Sequence, residues 1–294
     1  MADTQNEVFK TPVNKIRLFE HGAPGSQNLK LTRKYYTEDM PDGRVKHIVQ
    51  NITDPDIVPY IPDGIGNSTD RQRIPAVLII PGGAFRRLVY NFEGEDVAKW
   101  LNSMGIAAFV LECRLPSDEH DNAEDVPLID AMRAMRVIRG RAQEFGIDEA
   151  KIGVMGFSAG GFMAALLSTA YESDVYADYK YKDEYDKLSA RPDFAVCSYP
   201  VISIDDCIEA GKRYMSEEQV LERISDSKAK ILHKYNPDKL VRLDMPPVFI
   251  CETDDDRTTL SENSVGFYMA ARKAGVSAEL HIFRTGGHGY GCGD

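Results

Sequence analysis

Two apolar runs, residues 151–155 (KIGVM) and 162–170 (FMAALLSTA), flank the pentapeptide Gly156-Phe157-Ser158-Ala159-Gly160. The first reads as a short buried strand and the second as an apolar helix. A chain that passes from one to the other this quickly must turn sharply. Such a turn lifts the Ser158 hydroxyl clear of the sheet. Glycine is required on both sides of it, because a Cβ at 156 or 160 would collide with the neighbouring strand or helix.

The rest of the chain repeats that alternation. Residues 76–80 (AVLII) form a continuous apolar run, as expected of a strand buried on both faces of a parallel sheet. An amphipathic helix over 93–104 stops at Gly105, and a buried strand follows over 106–111. A long helix is predicted over 128–145 and a helix over 159–170 after the serine. Strands are predicted over 194–199, 248–252 and 278–283, with a helix over 260–274 between the last two. Residues 44–58 alternate like early strands and run into a Pro/Gly/Asn/Ser-rich loop over 59–73. The spacing predicts an α/β protein with a mostly parallel central sheet and helices on both faces. No internal repeat or long linker divides the 294 residues, so one domain is expected over 1–294. Two segments interrupt the pattern as lid or substrate-wall candidates: 171–192, rich in tyrosine and charge, and 205–244, with a helix predicted over 217–234.

Composition narrows the function classes. The net charge of −11 argues against a nucleic-acid backbone as partner, which wants a basic face. No apolar stretch approaches the length of a membrane span, and residues 1–15 lack the apolar core of a secretory signal. Five cysteines, Cys113, Cys197, Cys207, Cys251 and Cys292, form no C-x-x-C pair, which fits reduced thiols in the cytoplasm. A cytoplasmic location is therefore expected.

A serine hydroxyl is a weak nucleophile near neutral pH and needs a base within hydrogen-bond reach, with an acid to orient that base. On a fold of this kind the order along the chain is Ser, Asp or Glu, then His. His288, in the glycine-rich stretch 285–291 after the last strand, is placed as the base. The acid should follow the strand over 248–252, where Asp254, Asp255 and Asp256 stand together; Asp256 is the choice and Asp255 the alternative. An oxyanion needs backbone N–H donors. Ala159 should give one, and the loop Pro81-Gly82-Gly83-Ala84-Phe85 should give others from Gly83 and Ala84. This chemistry calls for no metal and no organic cofactor.

These residues resemble the α/β-hydrolase superfamily and, within it, the bacterial carbohydrate esterases of the acetylxylan esterase or endo-1,4-β-xylanase B-like kind. The resemblance runs through residues 18–25, the loop 81–85, Glu93-Gly94 with the helix after it, the elbow 153–161, Tyr199-Pro200-Val201-Ile202, Glu262-Asn263-Ser264 and Gly286-Gly287-His288-Gly289. It implies Ser158, Asp256 and His288 as the triad, Asp256 being the aspartate six residues before Glu262. The chain departs from the pattern where Ala84 replaces a usual glycine, where Arg86 and Arg87 add charge at the rim, and in its acidic run 252–257. It also stops six residues after His288, so the superfamily's terminal helix is expected to be absent or truncated. A missing helix would open part of the sheet and favour a homo-oligomer.

The expectation is a serine carboxylesterase acting through an acyl-enzyme on short-chain esters, acetyl first, of sugars or xylo-oligosaccharides. The tyrosines of residues 171–185, with Tyr176, Tyr179 and Tyr181 at their centre, offer a platform for a sugar ring. The rivals are a general small-ester or feruloyl-type esterase, an acyltransferase with the same triad, and a non-catalytic binding module on the same fold. A lipase is disfavoured, since neither interrupting segment reads as a long apolar lid.

Overall fold

The computed structural model describes residues 9, 13–64, 73–213, 216, 218, 219 and 229–293. Aliphatic runs build its centre. β5 (Ile74–Ile80), β7 (Ala107–Glu112), β8 (Ile147–Phe157), β9 (Ala195–Ser198), β10 (Val248–Thr253) and β11 (Ala278–Phe283) lie parallel, and β1 (Ile16–Arg17) and β4 (Asp56–Tyr60) extend the sheet antiparallel at one edge. The strand order is β1-β4-β7-β5-β8-β9-β10-β11. β2 (Lys34–Asp39), β3 (Val45–Gln50) and β6 (Leu88–Val89) make a separate antiparallel sheet.

From β5 the chain steps one way to β7 through α1 (Asp96–Ser103). It then returns past β5 to β8 through α2 (Val126–Gly140) and onward through α4 (Ala159–Ala170) to β9. Right-handed crossovers in opposite directions put α1 on one face and α2 and α4 on the other. The reversal leaves a crevice beyond the C-terminal ends of β5 and β8, where parallel sheets hold their ligands. α4 is buried along its whole length except Ala170. Each fully buried Phe or Leu of this kind contributes roughly 1.5–3 kcal/mol relative to exposure.

Beyond shifts of up to three residues at element ends, three segments differ from the sequence reading. The helix expected over 128–145 is two, α2 and a short α3 (Ala142–Phe145), parted at Arg141, whose backbone leaves the helical region at φ −103° and ψ 16°. β8 starts at Ile147 rather than 151, because residues 148–151 are polar and bulge out of register with β5. The helix expected over 217–234 is seen over Ala229–Lys234 (α6), after α5 (Ile204–Lys212); residues 217 and 220–228 lie outside the described residues, as do 65–72 of the loop over 59–73.

Segment 171–192 is fastened along α2. Arg133 pairs with Asp183 and Asp186, and Arg136 with Asp186 and the Tyr176 hydroxyl. Tyr176 is consequently buried and is no platform; Tyr179 donates to the Gly22 carbonyl, and Tyr181 alone of the three is well exposed, against the His21 ring. Segment 205–244 is anchored where Lys234 and Tyr235 meet Asp125 at the start of α2. α7 (Ser261–Lys273) covers β10 and β11 on one face. On the opposite face Phe249, His281 and Phe283 pack on one another, with Phe283 54% exposed. No described helix is long and apolar enough to cross a membrane.

Candidate active site

Ser158 stands between β8 and α4 with φ 54° and ψ −118°, a backbone conformation that L-residues rarely adopt. The glycines around it permit the turn. A Cβ on Gly156 would come within 2.0 Å of the Gly160 carbonyl oxygen, and one on Gly160 within 2.0 Å of the Ile80 carbonyl oxygen of β5. The Ser158 N–H donates to the Ser198 carbonyl at 3.0 Å, locking the turn to the end of β9.

The loop after β11 brings His288 to the serine. His288 Nε2 lies 2.9 Å from Ser158 Oγ, and Nδ1 lies 2.6 Å from Asp256 Oδ2. An ionised carboxylate only accepts, so Asp256 holds a proton on Nδ1 and leaves Nε2 to accept from the serine. Asp256 is buried and saturated with donors. Its Oδ1 accepts the N–H groups of Thr258 at 2.7 Å and Thr259 at 3.0 Å, and its Oδ2 the Thr259 hydroxyl at 2.9 Å. Burial alone would raise its pKa; the bond to His288, the imidazole charge and the two amides outweigh burial and hold the carboxyl below its usual range.

The three aspartates of the acidic run do different things. Asp255 is exposed and does not reach the imidazole; its Oδ1 accepts the Gly287 N–H at 2.8 Å, which lowers its pKa and steadies the histidine loop. The Thr253 hydroxyl donates to the Gly287 carbonyl at 2.7 Å and holds the same loop from the other side. Asp254 ties its backbone N–H to the Phe283 carbonyl.

The loop 81–87 lies against the serine, since a Cβ on Gly82 would sit 3.0 Å from Ser158 Cβ. The Gly83 carbonyl accepts the N–H groups of Arg86 and Arg87, and this tight turn puts Ala84 at φ 57° and Phe85 at φ 60°. Among the described residues no protein acceptor takes the N–H of Gly83, Ala84 or Ala159. The Arg87 guanidinium turns away from the rim to pair with Glu38 of β2. Behind the loop, a cleft of about 20 Å³ is lined by Pro81, Phe85, Leu88, Leu115, Ala159 and Met163 among others. No cluster of three or more potential metal-ligating side chains occurs among the described residues.

Sequence reasoning missed three participants. Thr259 donates to Asp256 and lies 3.3 Å from His288 Nδ1, and only its place three residues after the aspartate could have suggested it. Glu93, read as part of an amphipathic helix, is buried and accepts the Gly82 N–H at 2.8 Å. Tyr199, read as the end of a strand, donates its hydroxyl to Glu93 at 2.9 Å and accepts the Gly291 N–H at 3.0 Å.

Known proteins resemble this chain in sequence and fold. The chain is 31% identical over 220 residues to an acetylxylan esterase of Xylanibacter ruminicola, and 31% identical over 221 residues to an endo-1,4-β-xylanase B of Butyrivibrio fibrisolvens. Those matches take in 74% and 75% of this chain but only 41% and 33% of the two curated relatives. Among solved structures, an acetyl ester-xyloside bifunctional hydrolase from Caldicellulosiruptor lactoaceticus is 34% identical, with a TM-score of 0.67 over 95% of this chain and 89% of that one. A thermophilic esterase of Thermogutta terrifontis, 24% identical, shares the fold with a TM-score of 0.62 over 91% of this chain and 86% of that one. With residues 65–270 matching the BD-FAE family, and a mostly parallel eight-stranded sheet carrying a serine at its elbow, the chain belongs to the BD-FAE family and has the α/β-hydrolase fold.

Proposed function

We propose that this chain is a serine carboxylesterase that removes short acyl groups, acetyl first, from sugars or xylo-oligosaccharides. The unbroken hydrogen-bond chain from Ser158 through His288 to Asp256 carries the reading. In it, Ser158 Oγ attacks the ester carbonyl while His288 Nε2 takes the hydroxyl proton, and Asp256 stabilises the imidazolium. The carbonyl oxygen becomes an oxyanion facing the N–H groups of Gly83, Ala84 and Ala159, the last at the positive end of α4. Collapse expels the alcohol, which takes the proton from His288 and leaves the acyl group on Ser158. Water, deprotonated by His288, then attacks the acyl-enzyme, and the acid leaves.

The apolar cleft lined by Gly82, Ala159, Gly160 and Met163 supports a short acyl group. The names of the relatives support an acetylated xylan-type alcohol. On this reading the chain acts as one domain, with the described residues of segment 205–244 as a wall of the site. The free thiols of Cys113, Cys197, Cys251 and Cys292 support a reducing, cytoplasmic setting, and the open β10–β11 face supports pairing with a second copy.

Labelling with a fluorophosphonate, followed by peptide mass spectrometry, should mark Ser158 and nothing else. A panel of p-nitrophenyl acetate, p-nitrophenyl butyrate, a feruloyl ester and acetylated xylo-oligosaccharide should show acetyl preferred over butyryl by about tenfold, as a methylene or two without room costs. Full hydrolysis by Ser158→Ala would end the proposal, and acyl transfer to added sugar in place of release would turn it toward an acyltransferase.

A further inference from the structure

The two loops that complete the candidate site, 81–87 and 284–291, come from opposite sides of Ser158 and are joined beneath it by two buried side chains. Glu93 Oε2 accepts the Gly82 N–H at 2.8 Å, and Oε1 accepts the Tyr199 hydroxyl at 2.9 Å; that hydroxyl accepts the Gly291 N–H at 3.0 Å. Each link is buried. The Tyr199 ring also meets the His288 ring edge-on at 5.0 Å and the Tyr290 ring at 4.5 Å.

Tyr199 reaches this place at a backbone cost. Its φ is 37°, unusual for a residue with a Cβ, and its backbone is clamped there by N–H donation to the Cys251 carbonyl at 2.8 Å. Strain of this kind persists where the surroundings over-determine a conformation. Here it aims a phenol at a buried carboxylate. Burying a carboxyl group on two hydrogen bonds, without an ion pair among the described residues, is a poor way to gain stability, so the arrangement calls for a reason other than stability.

We infer that Glu93 and Tyr199 are positioning residues that fix the oxyanion loop and the histidine loop at one separation. The inference rests on the esterase reading and adds to it a mechanical link between the two halves of the site. Neither side chain hydrogen-bonds to Ser158 or His288, although the Tyr199 ring packs against the His288 imidazole. They act by holding the Gly83 and Ala84 amides in register with His288, which matters most when the oxyanion forms.

The test is Tyr199→Phe, which keeps the ring and deletes only the hydroxyl, made beside Glu93→Gln and the double variant, all on the full chain. Active sites are counted by fluorophosphonate titration so that rates are per competent molecule. Tyr199→Phe should lower kcat by about 10- to 100-fold with KM within about twofold, as misplacement of the reacting groups would. The two substitutions together should cost little more than the larger single one, because both cut one chain. Hydrogen exchange should speed up in peptides covering 81–88 and 284–293 alike. A Tyr199→Phe enzyme with unchanged kcat and only lower thermal stability overturns the link, as do multiplicative losses or faster exchange in one loop alone. The exchange arm needs no turnover. Wild-type protein inactive on every ester would therefore fail the esterase reading, while exchange still decides the link.

Discussion

At Ser158 the fold spends stability on geometry. The φ of 54° with ψ −118° costs about 1–3 kcal/mol for a residue with a Cβ. Ser158→Gly, which relieves the strain, should raise the free energy of unfolding in urea by about 1 kcal/mol, whereas Ser158→Ala, which keeps it, should change stability little. Both should be inactive. A second residue-scale cost lies behind Asp256. Glu252 is fully buried, with Ser264 Oγ donating to it at 3.2 Å and its own neighbour's Thr253 N–H at 3.0 Å. Burial, opposed by the Thr253 N–H and reinforced by the Asp256 charge, pushes its carboxyl up to about 8. The folded protein thus keeps a proton that the unfolded chain releases near pH ~4.3, so this group's contribution falls as pH rises from there to about 8, by up to about 1.4 kcal/mol per unit. Urea denaturation at several pH values should show Glu252→Gln flattening that slope and gaining most over wild type near pH 8. An unchanged slope would remove Glu252 as its source.

At the level of elements, the oxyanion loop shows what one substitution in the pattern costs. Ala84 sits at φ 57°, where glycine is at ease and alanine pays about 1 kcal/mol. Ala84→Gly should therefore stabilise the protein slightly, or at worst be neutral, and calorimetry checks it; a clear drop in melting temperature would mean that the Ala84 methyl is packed and needed. The strands of the sheet were readable because β5, β7 and β10 contain the apolar runs 76–80, 107–111 and 248–251. The serine was readable because its turn is written in five consecutive residues. β8 was read short because residues 148–151 are polar, which is what a bulge looks like in sequence. The choice between Asp255 and Asp256 depends on which way adjacent side chains point in one loop, and spacing carries no such information. Glu93 and Tyr199 were illegible as a pair for a different reason: they meet across 106 positions, and nothing local to either marks a partner.

For the whole molecule, buried charge holds the periphery to the sheet. Arg114, at the end of β7, and Asp130 of α2 are both fully buried and paired at 2.7 Å, and Arg114 also donates to Ser26 Oγ at 2.8 Å, binding the N-terminal segment into the same knot. Asp130→Ala leaves a guanidinium buried without its partner and should cost about 3–5 kcal/mol. The exposed Arg141–Glu144 pair is the control, where Glu144→Ala should cost under about 1 kcal/mol. Denaturation curves for the two variants separate these cases. The strand order has a consequence in time as well as in space. β5 and β8 are neighbours, yet α1, β7 and α2 lie between them along the chain, and such distant pairings are slow to form. After dilution from denaturant, regained turnover is a clock for the last strand to dock, and it should run behind the recovery of helical circular dichroism.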